Sequence, residues 1–200
     1  MGFGLLLIGY FLINVTTLLA PFAVAMPVGF ALVAMGAYRL VPYHSRFKIL
    51  FALSLVGLPF GIYYTLYGLS FLGAIPSLAF LSGTAFAAVE WAYFVLSLLV
   101  QIALLTAISL LVMDLGLLEM QSVAMRNLVF VGIYHFVYLL AHLPVAGIKA
   151  HAGAFTLPIT LLRFLCVFLN LWLLFRCYRN ILPEGSDMVA VDVEEKGEEK

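Results

Sequence analysis

From Gly2 to Tyr38 the chain carries no charge, and long apolar runs then recur as far as Cys177 between brief polar stretches. A helix needs about 20 apolar residues to cross the hydrocarbon core of a bilayer. On that measure the pattern predicts six spans, near residues 3–20, 24–40, 48–67, 87–113, 128–147 and 157–179. Pro21 and Pro27 bracket a turn between the first two, and the basic stretch RLVPYHSRFK separates the second from the third. Residues 68–86 are ambiguous: they are apolar, yet Gly68, Gly73, Pro76 and Gly83 break helices. Read as a connector or re-entrant segment they leave six spans, and read as a span they make seven.

Positive charge decides between the two, because Lys and Arg near span ends stay on the cytoplasmic side. Six spans place Arg39, Arg46, Lys48, Arg126, Arg176 and Arg179 inside and only Lys149 outside. Seven would move Arg126, Arg176 and Arg179 out. The expected fold is therefore all-α, a polytopic transmembrane helix bundle over residues 1–182 with N-terminus and C-terminus both cytoplasmic.

Composition agrees with lipid as the solvent. The chain is 65% hydrophobic and 10% charged, against about 25% charged in a soluble domain. The formal net charge of +0 conceals an uneven distribution, since seven of the ten acids follow residue 183. Residues 183–200 have no aromatic side chain and too little apolar surface to offset the entropy of ordering, so they read as a flexible acidic cytoplasmic tail, with an acidic docking peptide as the alternative. Cys166 and Cys177 lie about 16 Å apart along one helix, beyond disulfide reach, and form no metal pattern. The N-terminal MGFGLLLIGYFL lacks a basic region and a cleavage site, so it reads as a span rather than a signal peptide. Gly57 and Gly61 form a weak GxxxG, with Pro59 between them suggesting a kink instead. Tyr63, Tyr64 and Tyr67 read as an interfacial aromatic belt.

Against this apolar background the ionisable residues stand out. The stretch IYHFVYLLAHLP holds His135 and His142 seven positions apart, which puts both rings on one side of a helix. Span four carries Glu90, Ser97 and Gln101 at helical spacing, and span six carries Arg163, Cys166 and Asn170. Glu90, His142 and Arg163 share a depth in the outer leaflet, while Gln101, His135 and Asn170 lie nearer the midplane, where Asn14 could join them. A charge facing lipid near the centre of a span costs at least about 2.5–3.5 kcal/mol, so these stripes should face one another. Glu90 is the only acid before Asp114, hence the evident partner for Arg163.

The seam has a structural reading and a functional one. In the first, a Glu90–Arg163 ion pair with His142 beside it fixes helix packing. In the second, the same residues bind a small solute or relay protons, with a solute carboxylate replacing Glu90 at Arg163. No catalytic residue is assigned: the chain has neither G-x-S-x-G nor H-E-x-x-H, and Arg163 would repel a cation bound by Glu90 and the histidines. No cofactor, metal or nucleic-acid partner is expected, since phosphate loops and basic aromatic patches are missing from the sequence. The leading expectation is a small-solute binding or transport component of a plasma membrane, of the bacterial inner-membrane kind. The alternative is a non-catalytic accessory or assembly subunit that meets a membrane protein partner through the 114–126 connector or the acidic tail. An intramembrane enzyme comes third.

Overall fold

The computed structural model describes residues 2–16, 24–76, 79–142, 152–184 and 187–190. Among these residues the apolar runs form six α-helices: α1 Gly2–Thr16, α2 Met26–Leu40, α3 Phe47–Phe71, α4 Gly83–Asp114, α5 Leu118–Ala141 and α6 Ala152–Asn180. The last four are long and apolar enough to cross a membrane. Helices α1 and α2 are also apolar, but their 15 residues each extend only about 22 Å. Pro27 sits in the first turn of α2, where a missing N–H removes no helical bond. Pro59 lies within α3, which continues through it.

Two glycine stops set the boundaries that the sequence left ambiguous. After α3, Gly73 takes φ +71°, the Gly73 N–H donates to Ser70 O, and the Ala74 N–H donates to Leu69 O at 2.9 Å. After α4, Gly116 takes φ +75°, its N–H donates to Met113 O, and the Leu117 N–H donates to Val112 O at 2.8 Å. Both are the paired bonds that end a helix on a left-handed glycine. The described part of 68–86 is the end of α3, a turn, the short 3-10 helix Ala79–Leu81 and the start of α4, with no helix of span length of its own. The expected 114–126 connector shrinks to residues 115–117, and α5 begins ten residues before the predicted 128.

Each helix packs on its neighbours in the chain, and α6 packs on α1, so the six close into a ring. Helices α1 and α2 meet through glycine. A Cβ on Gly9 would lie 2.7 Å from the Gly29 carbonyl oxygen, and one on Gly2 would lie 2.9 Å from that of Gly36. The GxxxG of α3 also meets a neighbouring helix: Gly57 receives the Phe30 ring and Gly61 lies against Pro27. Small residues at these positions allow close backbone approach, which is the main source of packing energy between helices in lipid.

The core fills one half of the ring. Among the largest fully buried side chains, Leu6, Leu40, Phe47, Leu50, Leu105, Ile108 and Leu174 all lie toward the end where α1 begins and α6 finishes. Charge gathers at that same end, where Arg176 meets Glu119 at 3.1 Å and His44 approaches Asp114 at 3.9 Å. Beyond α6, Ile181–Glu184 pairs antiparallel with Asp187–Ala190, in register Ile181 to Ala190. This hairpin occupies the beginning of the stretch read as a tail; residues 185, 186 and 191–200 lie outside the described residues, as do Pro21 and Lys149.

Candidate functional site

The other half of the ring holds a cavity of about 420 Å³. Every helix gives it at least one wall residue: Asn14 of α1, Met26 of α2, Tyr64 of α3, Glu90 of α4, His135 of α5 and Arg163 of α6. These positions cluster toward one end of the bundle, where α1, α3 and α5 finish and α2, α4 and α6 begin. The apolar core at the opposite end closes the bottom.

Four of the six residues singled out from the sequence face this space: Glu90, Gln101, His135 and Arg163. Asn170 lies one layer below and supports the floor. Its Nδ2 donates to the Tyr10 hydroxyl at 2.9 Å, Tyr10 donates to Gln101 Oε1 at 3.4 Å, and Gln101 Nε2 donates to Ser97 Oγ at 3.3 Å. This chain ties α6, α1 and α4 together across the ring. Asn14 closes the α1 side, donating from Nδ2 to Tyr10 O at 2.9 Å. Asn127 Nδ2 donates to Leu169 O at 3.0 Å and links α5 to α6.

His142 does not belong to the cavity wall. Helix α5 ends at Ala141, short of the predicted 147, so His142 is its exposed C-cap. There the ring stacks on Tyr138 with centroids 4.1 Å apart, and Nδ1 lies 2.8 Å from Tyr138 O. The sevenfold spacing does align the two histidines, but only His135 is buried.

His135 is 4% exposed. Its Nδ1 lies 2.8 Å from Val131 O, an acceptor, so the neutral ring carries its proton on Nδ1 and presents a lone pair at Nε2. Nε2 is buried and has no hydrogen-bond partner among the described residues. A buried polar atom left so costs about 1–3 kcal/mol.

The expected Glu90–Arg163 ion pair is not among the salt bridges of the described residues, which are Arg176–Glu119 and His44–Asp114. Glu90 is exposed at the cavity opening, seven residues into α4, whereas Arg163 is half-buried, eleven residues into α6. By helical rise that sets the Arg163 backbone about 6 Å further from its helix start than the Glu90 backbone is from its own. Both face the cavity without being each other's salt-bridge partner, and Arg163 is held by an interaction of its own within the chain.

Aromatic rings make up much of the remaining wall. Tyr64 and Tyr93 meet edge to face at 5.1 Å, Tyr67 and Phe86 lie 4.8 Å apart, and Phe94 stacks on Tyr138 at 4.7 Å. Tyr64 and Tyr67, read from the sequence as part of an interfacial belt, thus line the cavity, while Tyr63 donates to Phe80 O at 2.8 Å. Tyr10, Tyr93 and Tyr134 were not singled out at all. The only cue available was their fall on the same helical faces as polar residues, for example Tyr93 beside Glu90 and Ser97. No three His, Cys, Asp or Glu side chains gather to hold a metal among the described residues.

No protein-family model, no curated protein and no solved structure matches this chain.

Proposed function

We propose that the chain crosses a membrane six times with both termini in the cytoplasm, and that it binds a small polar solute in the cavity, as a receptor or transport component. The orientation rests on the basic residues, since Arg39, Arg46, Lys48, Arg126, Arg176 and Arg179 all fall at the core end of the bundle and the cavity lies at the other. The cavity then opens outward. A bacterial plasma membrane is the setting this compact multi-pass form suits.

One observation carries the solute reading. The cavity of about 420 Å³ has a size suited to a small molecule, and it gathers a carboxylate, a guanidinium and an unpartnered buried imidazole nitrogen from three helices. Intramembrane ionisable groups facing a cavity typically mark substrate paths. Native mass spectrometry of the protein extracted gently from its own membrane, wild type beside Arg163→Gln, tests this. A small molecule retained by wild type and lost by a folded variant is the expected result; wild type carrying none would count against it.

A non-catalytic accessory subunit is the second reading. It is favoured by the first turns of α5, where Leu118 is 67% and Met125 48% exposed next to Glu119 and Arg126, at the end of the bundle that carries the acidic tail. Co-extraction of a stoichiometric membrane protein lost on Leu118→Ser would support it.

A further inference from the structure

The geometry points to one bound anionic phospholipid on the outer seam between α1 and α6, with an acyl chain in the seam and its phosphate at Arg179. This rests on the membrane-spanning reading above and not on the solute reading.

The two helices close the ring, but on the outside they leave a groove of about 470 Å³ between them. Leu7, Ile8 and Phe11 of α1 form one side, and Phe168, Trp172 and Phe175 of α6 form the other. Phe168 is 64% and Trp172 53% exposed, so the groove faces away from the core. The Trp172 indole N–H is the only polar side-chain group in its lining. Walls without partner atoms forfeit dispersion energy, and between helices in lipid that packing is the main attraction. Hydrocarbon is the matching filler.

Depth fits a chain of one leaflet. Along α6 the groove runs from Phe175 to Phe168, five to twelve residues before the helix end at Asn180, or about 8–18 Å. Along α1 it runs from Leu7 to Phe11, five to nine residues after Gly2, or about 8–14 Å. Both distances start from the same basic end of the bundle, and half a hydrocarbon core is about 15 Å. The acyl chain therefore belongs to the leaflet at the basic end, and its headgroup lies at the mouth of the groove.

That mouth suits an anion. Arg179 follows Trp172 by seven residues and Phe175 by four, so it carries the groove face of α6 into the last turn. It is exposed and forms no salt bridge among the described residues, whereas Arg176 is taken by Glu119. Beside it Tyr178 leans across the seam onto α1, where a Cβ on Gly4 would lie 3.3 Å from the ring. A guanidinium fork fits a phosphate, and basic pockets between helices at a cytoplasmic surface select anionic headgroups. On the inner side of the same seam Asn170 donates to Tyr10. A lipid in the groove braces from outside the contact that closes the ring from within.

Native mass spectrometry and thermal unfolding of the full chain in nanodiscs test this, with phosphatidylcholine alone or mixed equally with phosphatidylglycerol as the probes. From the mixture we expect one retained phosphatidylglycerol per chain, enriched about fivefold over phosphatidylcholine, and a higher unfolding temperature than in phosphatidylcholine alone. Arg179→Gln should abolish the enrichment while a lipid is still retained. Trp172→Ala should lower retention of either lipid, and Arg126→Gln, on α5, should change neither. Absence of enrichment in wild type would overturn the site. So would an enrichment that Arg179→Gln leaves intact, since it would reflect the general charge of the basic end. A dimer that Trp172→Ala dissolves would place a second copy in the groove and overturn the lipid. Nanodiscs offer the same lipids in both leaflets, so none of these outcomes depends on orientation or on the cavity. A chain that failed to insert would overturn the spanning reading and this site with it.

Discussion

Asn170 donates a hydrogen bond to the Tyr10 hydroxyl at 2.9 Å across 160 residues of chain, and Tyr10 passes it on to Gln101. With both partners buried, this bond joins the last helix to the first and forms the floor of the cavity.

Tyr10→Phe should therefore destabilise the protein although it removes a single oxygen. The loss expected is about 1–2 kcal/mol, because Asn170 and Gln101 each forfeit a partner in a dry environment. Thermal unfolding of Tyr10→Phe, Asn170→Leu and the double variant checks it. Strictly additive losses would mean the two side chains do not interact.

Glycine positions should divide sharply by contact. Gly9→Val inserts a branched side chain where even a Cβ would lie 2.7 Å from the Gly29 carbonyl, so α1 cannot dock on α2 and the yield of folded protein should collapse. Gly132→Ala in α5 has open space around it and should be neutral, or stabilising by up to about 1 kcal/mol through helix propensity. Comparing folded yield by size-exclusion chromatography separates the two.

The proposed orientation predicts that a membrane-impermeant thiol reagent reaches Ala74→Cys from outside and Ser45→Cys only after the membrane is opened. The natural thiols add little background, since Cys166 is 3% and Cys177 0% exposed. Labelling of position 45 in intact cells would reverse or break the six-span arrangement.

Glu90→Gln and Arg163→Gln should act independently on stability in the ligand-free protein, adding to within about 0.5 kcal/mol. A coupling well above that in a double-mutant cycle would show that the two pair directly after all. Both single variants should nonetheless lose the retained solute, because each removes one side of the cavity wall.

Helix existence was legible in the sequence because charge-free runs of span length leave little else for the backbone to do in lipid. The boundaries were harder. The stretch from Asp114 to Arg126 mixes apolar and polar residues, so the sequence suggested a connector holding an amphipathic turn of helix, whereas one glycine, Gly116, sufficed to stop α4 and let a continuous α5 start at Leu118. The cavity wall was legible where it holds ionisable or amide groups, since Glu90, Gln101, His135 and Arg163 are conspicuous in apolar surroundings. His142 falls outside the cavity wall because spacing fixes which face a residue takes but not where the helix ends. The tyrosines stayed hidden for a different reason: an aromatic ring is as much at home in a membrane interface as in a cavity wall, and only the packing of α3 against α4 distinguishes Tyr64 from Tyr63.

Closure of the ring through α6 and α1 also has a consequence in time. At ribosomal rates of about 5–20 residues per second, on the order of 10–30 s separate the synthesis of Tyr10 from that of Asn170. Through that interval the Tyr10 hydroxyl lacks the amide that completes the hydrogen-bonded chain, and Gln101, made 91 residues after Tyr10, lacks it for the remainder. The cavity floor is thus the last part to be finished, and a nascent chain stalled before α6 would present these groups to whatever insertion factor or quality-control protease patrols the bilayer.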